Sequence, residues 1–199
     1  GDGIVPFASA GFGSRGTRQL QAGVSGRHGD TGFSLSLSQE ATDGFDATLP
    51  GSPDRQADRD GNRVGALTAS LTHRLSADWR LGANLLVSDG RVEYDDAFST
   101  PETAKMDYRS AAVSAFVTGR LSSQWESTFR AGNSSIDYSF AAFTFAPRTD
   151  SRTVAWENLV EAGGSRWQFG LETVEQKIAG EGMTVGAFVY ARDERDTDS

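Results

Sequence analysis

LTASLTHRLSADWRLGANLLV, residues 67–87, decides the reading of the chain. Leu67, Ala69 and Leu71 alternate with Thr68, Ser70 and Thr72. Beyond Leu75, Ser76, Ala77 and Asp78, the residues Trp79, Leu81, Ala83 and Leu85 alternate with Arg80, Gly82 and Asn84. A period of two in both halves predicts two strands joined by a tight turn, each apolar on one face and small or polar on the other. An aromatic residue opens the second strand just past the turn.

That aromatic recurs. Phe33 follows the short polar stretch from His28 to Gly32, Trp125 follows Leu121 to Gln124, and Trp167 follows Gly163 to Arg166. The spacing is about 45 residues, as expected of a ring of aromatics along one rim of a transmembrane barrel, where lipid meets water.

Working outward, residues 5–12 read as a first strand and Gly13 to Gly16 as its turn. Leu20, Ala22 and Val24 then alternate with Gln19, Gln21 and Ser25, and Phe33, Leu35 and Leu37 with Ser34, Ser36 and Ser38. On the other side of the opening hairpin, Ala111, Val113, Ala115 and Val117 oppose Ser110, Ser114 and Thr118. Trp125, Phe129 and Ala131 oppose Glu126, Thr128 and Arg130; Val154, Trp156 and Val160 oppose Glu157 and Glu161; Trp167, Phe169 and Leu171 oppose Gln168 and Glu172. Each strand is expected to run ~9 to 11 residues, enough to cross a bilayer at a tilt.

Between the hairpins lie long polar loops over residues 43–62 and 88–106, a shorter one over 141–151, and a terminal one over 178–195 before a last strand starting near Asp196. Connections therefore alternate between short on the aromatic rim and long on the other, the asymmetry of outer-membrane barrels. The faces opposite the apolar ones carry Ser, Thr, Gly and Gln, which suits a wide lumen; a small closed barrel must fill its interior with side chains. The expectation is all-β: an antiparallel transmembrane meander of nine to ten strands, forming an arc of a larger barrel.

Composition agrees. Only 37% of the 199 residues are hydrophobic and 23 are Gly, the diluted signal of barrel strands. No apolar run approaches the ~20 residues of a membrane helix. The formal charge is −8, with 27 acidic against 19 basic residues, so nucleic acid is not an expected partner. Without cysteine there is no disulfide framework or thiolate metal site. Residues 1–10 lack the basic start and cleavage pattern of a secretory leader, as would follow if one had been removed or if the chain began within a longer protein.

PFASAGFGSRGTRQLQAGVSGRHGDTGFSLSLSQEATDGFDAT (residues 6–48), DRDGNR (58–63) and SDGRVEYDDAF (88–98) together resemble the first half of the barrel of TonB-dependent outer-membrane receptors, and among them the cobalamin transporters. The likeness runs along nearly the whole chain in strand order, loop lengths and short matches. It implies a 22-stranded barrel plugged by an N-terminal domain, which imports a scarce ligand, cobalamin or a related metal chelate, with energy passed from the inner membrane by TonB. Residues 1–199 would be a partial barrel domain lacking the plug, the TonB-contacting segment and the C-terminal half. The implied partners are that ligand, membrane lipid and, through the missing plug, TonB; the implied location is the outer membrane of a Gram-negative cell.

Chemistry is concentrated in the long loops. Asp43, Asp46, Asp54, Asp58 and Asp60 crowd the first, and Asp89, Glu93, Asp95 and Asp96 follow in the second. Calcium takes six to eight oxygens, so carboxylates from two neighbouring loops form a candidate cage. Solvated acidic surface is the competing reading, since Asp58-Arg59-Asp60-Gly61 lacks the spacing and terminal Glu of an EF-hand. The resemblance implies calcium, which cobalamin transporters bind in these two loops. The matching positions are Asp46 in GFDA, Asp58 and Asp60 in DRDG, Asp89 in SDGR and Asp95 in EYDD.

No enzyme is expected. The Gly11 to Gly16 match to G-x-G-x-x-G is followed by period two, not by the helix a dinucleotide site needs. His28 and His73 stand apart without a zinc pattern, and Ser25 continues a strand where a nucleophile elbow would turn into a helix. Arg130, Glu126, Glu157 and Glu161 belong to the lumen face and read as polar wall. A passive outer-membrane pore or adhesin, and a soluble sugar-binding β-sandwich with its aromatics as stacking platforms, remain the alternative functions.

Overall fold

The computed structural model describes residues 2–181, 184–185, 188–189 and 194–198. Nine strands follow one another as β1 (Gly3–Phe12), β2 (Arg18–His28), β3 (Thr31–Phe45), β4 (Asp60–Arg74), β5 (Trp79–Glu93), β6 (Lys105–Ser122), β7 (Trp125–Phe140), β8 (Ala146–Ala162) and β9 (Ser165–Glu181). Each pairs antiparallel with the next in an open meander. Two short strands, β10 (Thr184–Val185) and β11 (Phe188–Val189), pair with each other, and β12 (Glu194–Asp198) adds to the free side of β9. There is no helix among the described residues.

The opening hairpin is β4 and β5, with Leu71 opposite Ala83, Ala69 opposite Leu85 and Leu67 opposite Val87. The polar face is tied by cross-strand hydroxyl pairs: Ser34 Oγ to Ser70 Oγ at 2.7 Å, Ser36 Oγ to Thr68 Oγ1 at 3.2 Å and Thr118 Oγ1 to Thr128 Oγ1 at 3.0 Å. Such pairs fix register as much as they stabilise it. On the apolar face the Trp79 ring lies over Gly119, where a Cβ would come within 2.6 Å of the indole. Glycine there lets the aromatic lie flat on the neighbouring strand.

Strands β3 to β9 run 15 to 18 residues, longer than the alternation predicts. The ladder continues past the last apolar pair because opposite charges take over: Arg91 faces Asp107 and Glu93 faces Lys105, with ion pairs of 2.7 and 3.0 Å. The two long loops are correspondingly shorter, 46–59 and 94–104, and the third is 141–145. Residues 178–181, expected in a loop, belong to β9, and the last strand begins at Glu194, two residues before the expected Asp196. Residues 182–183, 186–187 and 190–193 of that expected loop lie outside the described residues.

Almost nothing is buried. Among the described residues only Ala104 and Ala155 are buried apolar side chains, while Leu37, Trp167, Phe169 and Leu171 are half-exposed or more. Among the described residues the sheet is a single layer with no second layer packed on either face. A soluble domain buries its apolar faces between layers.

The apolar band is also staggered across the sheet. Following backbone partners from Ala22, the middle of the band in β2, leads through Leu37, Leu67, Val87, Ala111, Ser135 and Asp150 to Lys177 in β9. The band in β9 is centred on Phe169, eight residues back along the strand. The offset is a little over one residue per strand. With ~3.4 Å of rise per residue and ~4.8 Å between strands, a level line through the band makes an angle of about 40° with the perpendicular to the strands.

Candidate metal centre

The two long loops meet beyond the apolar band. Asp60 opens β4, and Gly44 near the end of β3 makes room for it: φ is +65° there, and a Cβ would collide with the Asp60 carbonyl. The register slips between Thr42 and Phe45 at the same point, so the glycine forms a bulge that turns the strand end toward the loop. Across from it, Tyr94 N donates to Ala104 O at 3.1 Å and closes the base of the 94–104 loop.

One carboxylate oxygen from each of Asp58, Asp60 and Asp95 lies within 4.8 Å of the others. Backbone donors hold part of the group. Gln56 N donates to Asp95 Oδ1 at 3.0 Å, and Ala47 N donates to Asp60 Oδ2 at 3.0 Å. Gln56 Nε2 donates to the carbonyls of Asp96 and Ser99 at 2.8 and 3.0 Å, stitching the loops together. Gly61 N donates to Glu93 Oε2 at 3.2 Å, and Lys105 pairs with the other oxygen of that carboxylate.

What these bonds leave over is informative. Asp46 Oδ1, Gln56 Oε1, Asp58 Oδ1 and Asp95 Oδ2 are buried with no hydrogen-bond partner, as is the Tyr94 hydroxyl. A buried acceptor without a donor costs free energy, and such groups in native proteins call for an explanation such as an ion. Two of these four oxygens belong to the three-carboxylate group itself, and with those of Asp46 and Gln56 they make a set of hard oxygen donors of the type calcium takes.

Electrostatics agree. Burial first, then the charges of Asp95, Asp58 and Asp46, push the Asp60 carboxyl above its ordinary value, against the opposing hydrogen bond from Ala47. Burial also raises the Tyr94 hydroxyl, with the Asp96 charge adding to it. Among the described residues the only cation paired with these aspartates is Arg55, 2.5 Å from Asp46 Oδ2.

Of the five predicted ligands, Asp58, Asp60 and Asp95 come together, and Asp46 is near enough for its charge to act on Asp60. Asp89 stands elsewhere, on β5 opposite Gly65 and Arg109. Sequence reasoning missed Gln56. A lone amide carries no motif, and its role shows only once both loops are placed. Neither a family model nor a curated protein matches this chain when it is compared with them.

Proposed function

We propose that this sheet is an arc of a transmembrane barrel in the outer membrane, and that the protein imports a scarce ligand in a TonB-dependent manner, cobalamin or a related metal chelate. The observation that carries the barrel is the single-layered meander, whose apolar band is staggered at about 40°, the tilt of strands in outer-membrane barrels. An apolar face left in water on this scale would aggregate; hydrocarbon is the solvent that suits it. The polar face, lined with Ser, Thr and Gly, then borders a lumen.

The ligand class rests on the sequence resemblance together with the loop carboxylates. Asp46, Asp58, Asp60 and Asp95, with the Gln56 amide oxygen, are the groups that would hold calcium and so order the two loops above the lumen. Asp89 would stand on the outer side of the wall beneath them, on the same face as Leu67 and Val87. A passive pore shares the barrel but needs no energy from the inner membrane. Uptake of labelled cobalamin by cells expressing the full-length protein as their sole candidate receptor, with and without TonB, separates the two. Uptake lost without TonB is the expected result; TonB-independent entry, or none in either strain, contradicts the import reading.

A further inference from the structure

The two faces of the sheet exchange character along β5, β6 and β7. Through the apolar band, the outer face carries Leu85, Val87, Ala111 and Val113, and the inner face carries Asn84, Ser88, Ser110 and Ser114. Toward the long loops the outer face becomes charged, with Arg91, Asp107, Arg109 and Asp137. The inner face there becomes apolar, with Val92, Met106, Tyr108, Ile136, Tyr138 and Phe140. Strands that leave hydrocarbon for water require the first change. They do not require the second, because a wall that only borders water gains nothing from an aromatic patch, and such patches mark places where something binds.

The loops cover part of the patch. Tyr94 meets Phe140 edge-on with ring centroids 6.5 Å apart, and the Phe145 ring lies 5.6 Å from that of Phe140. Tyr108 and Tyr138, opposite each other in register, have no such ring contact among the described residues. Tyr138 and Ile136 are 37% and 38% exposed. The Tyr108 ring lies across Gly90, where an added Cβ would come within 2.5 Å of it, so one side of the ring rests on the strand and the other is turned away from the sheet. Neither tyrosine hydroxyl has a hydrogen-bond partner among the described residues. Flat-lying aromatic surface with free hydroxyls at its edge suits a flat ring system that carries polar substituents: stacking covers the rings, and the substituents take the hydroxyls.

We propose that Tyr108 and Tyr138 are the seat of the imported ligand, against which the flat side of a macrocyclic chelate stacks while its peripheral polar groups accept hydrogen bonds from the two hydroxyls. The proposal rests on the import reading, and adds where on the wall the ligand lies and which side of it is recognised. The position suits capture. Tyr94, packed on Phe140 at the upper edge of the patch, directly precedes Asp95 of the candidate metal centre, so a ligand on the seat lies directly beneath the two long loops.

The test uses the full-length protein in detergent with calcium, and equilibrium dialysis of two probes: cyanocobalamin, and dicyanocobinamide, which keeps the corrin ring and lacks the nucleotide tail. Tyr108→Ala with Tyr138→Ala should weaken both probes about tenfold or more, the loss expected when stacked aromatic rings are removed. Tyr138→Phe keeps its ring and should cost about threefold, the worth of one hydrogen bond. Calcium affinity should be the same in all variants. Undiminished binding in the alanine variant overturns the proposal and leaves import standing, as follows if another part of the full-length chain covers the patch. A matching loss of calcium affinity overturns it too, by making the tyrosines supports of the loops. A wild-type protein that binds neither probe sinks the import reading itself, and the seat with it.

Discussion

At the scale of single residues, the account turns on the aspartates of the two long loops. Several carboxylates with unpartnered buried oxygens repel one another unless a cation joins them, so Asp58→Asn with Asp60→Asn removes charge while keeping shape. The double variant should bind calcium at least about tenfold more weakly, since charge count sets affinity in such sites. Calcium should slow protease cleavage within 46–59 and 94–104 in the native protein and much less in the variant; equal rates with calcium and with chelator would leave the loops as solvated acidic surface. The pH dependence follows from Asp60. Its carboxyl lies above its ordinary value of 3.8, so in chelator the folded loops bind a proton more readily than the unfolded chain. Their stability should then rise as pH falls through the raised value and level off below 3.8. Calcium must displace that proton, so its affinity should drop over the same interval, starting above the range of an ordinary aspartate; a calcium titration against pH checks both signs. The acids themselves were legible in the sequence because they cluster between alternating stretches. Which of them converge was not. Asp89 lies where alternation of apolar residues stops, yet β5 continues to Glu93 on charge pairs, and that keeps it on the wall.

At the scale of a strand, period two is a statement about environment. Ala83 lies at the middle of the apolar stretch of β5, with Leu71 and Ala115 on either side of it, while Asn84 faces the other way, its Nδ2 3.4 Å from Ser114 Oγ. Arginine at Ala83 should cost ~2 to 4 kcal/mol of folding free energy in lipid, and at Asn84 close to nothing. Folding titrations of the two variants in lipid vesicles measure it, and equal costs would contradict the assignment of faces. Strand order and turn positions were readable because the signals are local: the apolar alternation and the polar turns such as His28 to Gly32. Strand ends were not, because a backbone ladder keeps going wherever cross-strand partners suit each other, and in β5 and β6 those partners are charged.

At the scale of the whole molecule, the stagger of the apolar band is what sequence could not supply, since it exists only once register is known. Each strand carries its own band, and the offset between neighbours joins the bands of β2 to β9 into one belt that crosses the strands obliquely. The aromatic residues follow this slope only in part: Trp79 lies two residues off the row of Trp125, opposite Gly119 and so Ser127, whereas Trp125 and Trp167 share one row through Val160. A level belt across tilted strands is the central claim, and nitroxide accessibility tests it most directly. The chain has no cysteine, so single labels can be placed one at a time along β5 from Leu81 to Asp89 and along β9 from Phe169 to Lys177 in the protein reconstituted in lipid. The account predicts that oxygen collisions alternate with period two, peak near Ala83 in β5 and near Phe169 in β9, and give way to collisions with a water-soluble nickel complex at Asp89 and Lys177. Absence of alternation, or a β9 maximum at Lys177 in the row of Val87, would contradict it.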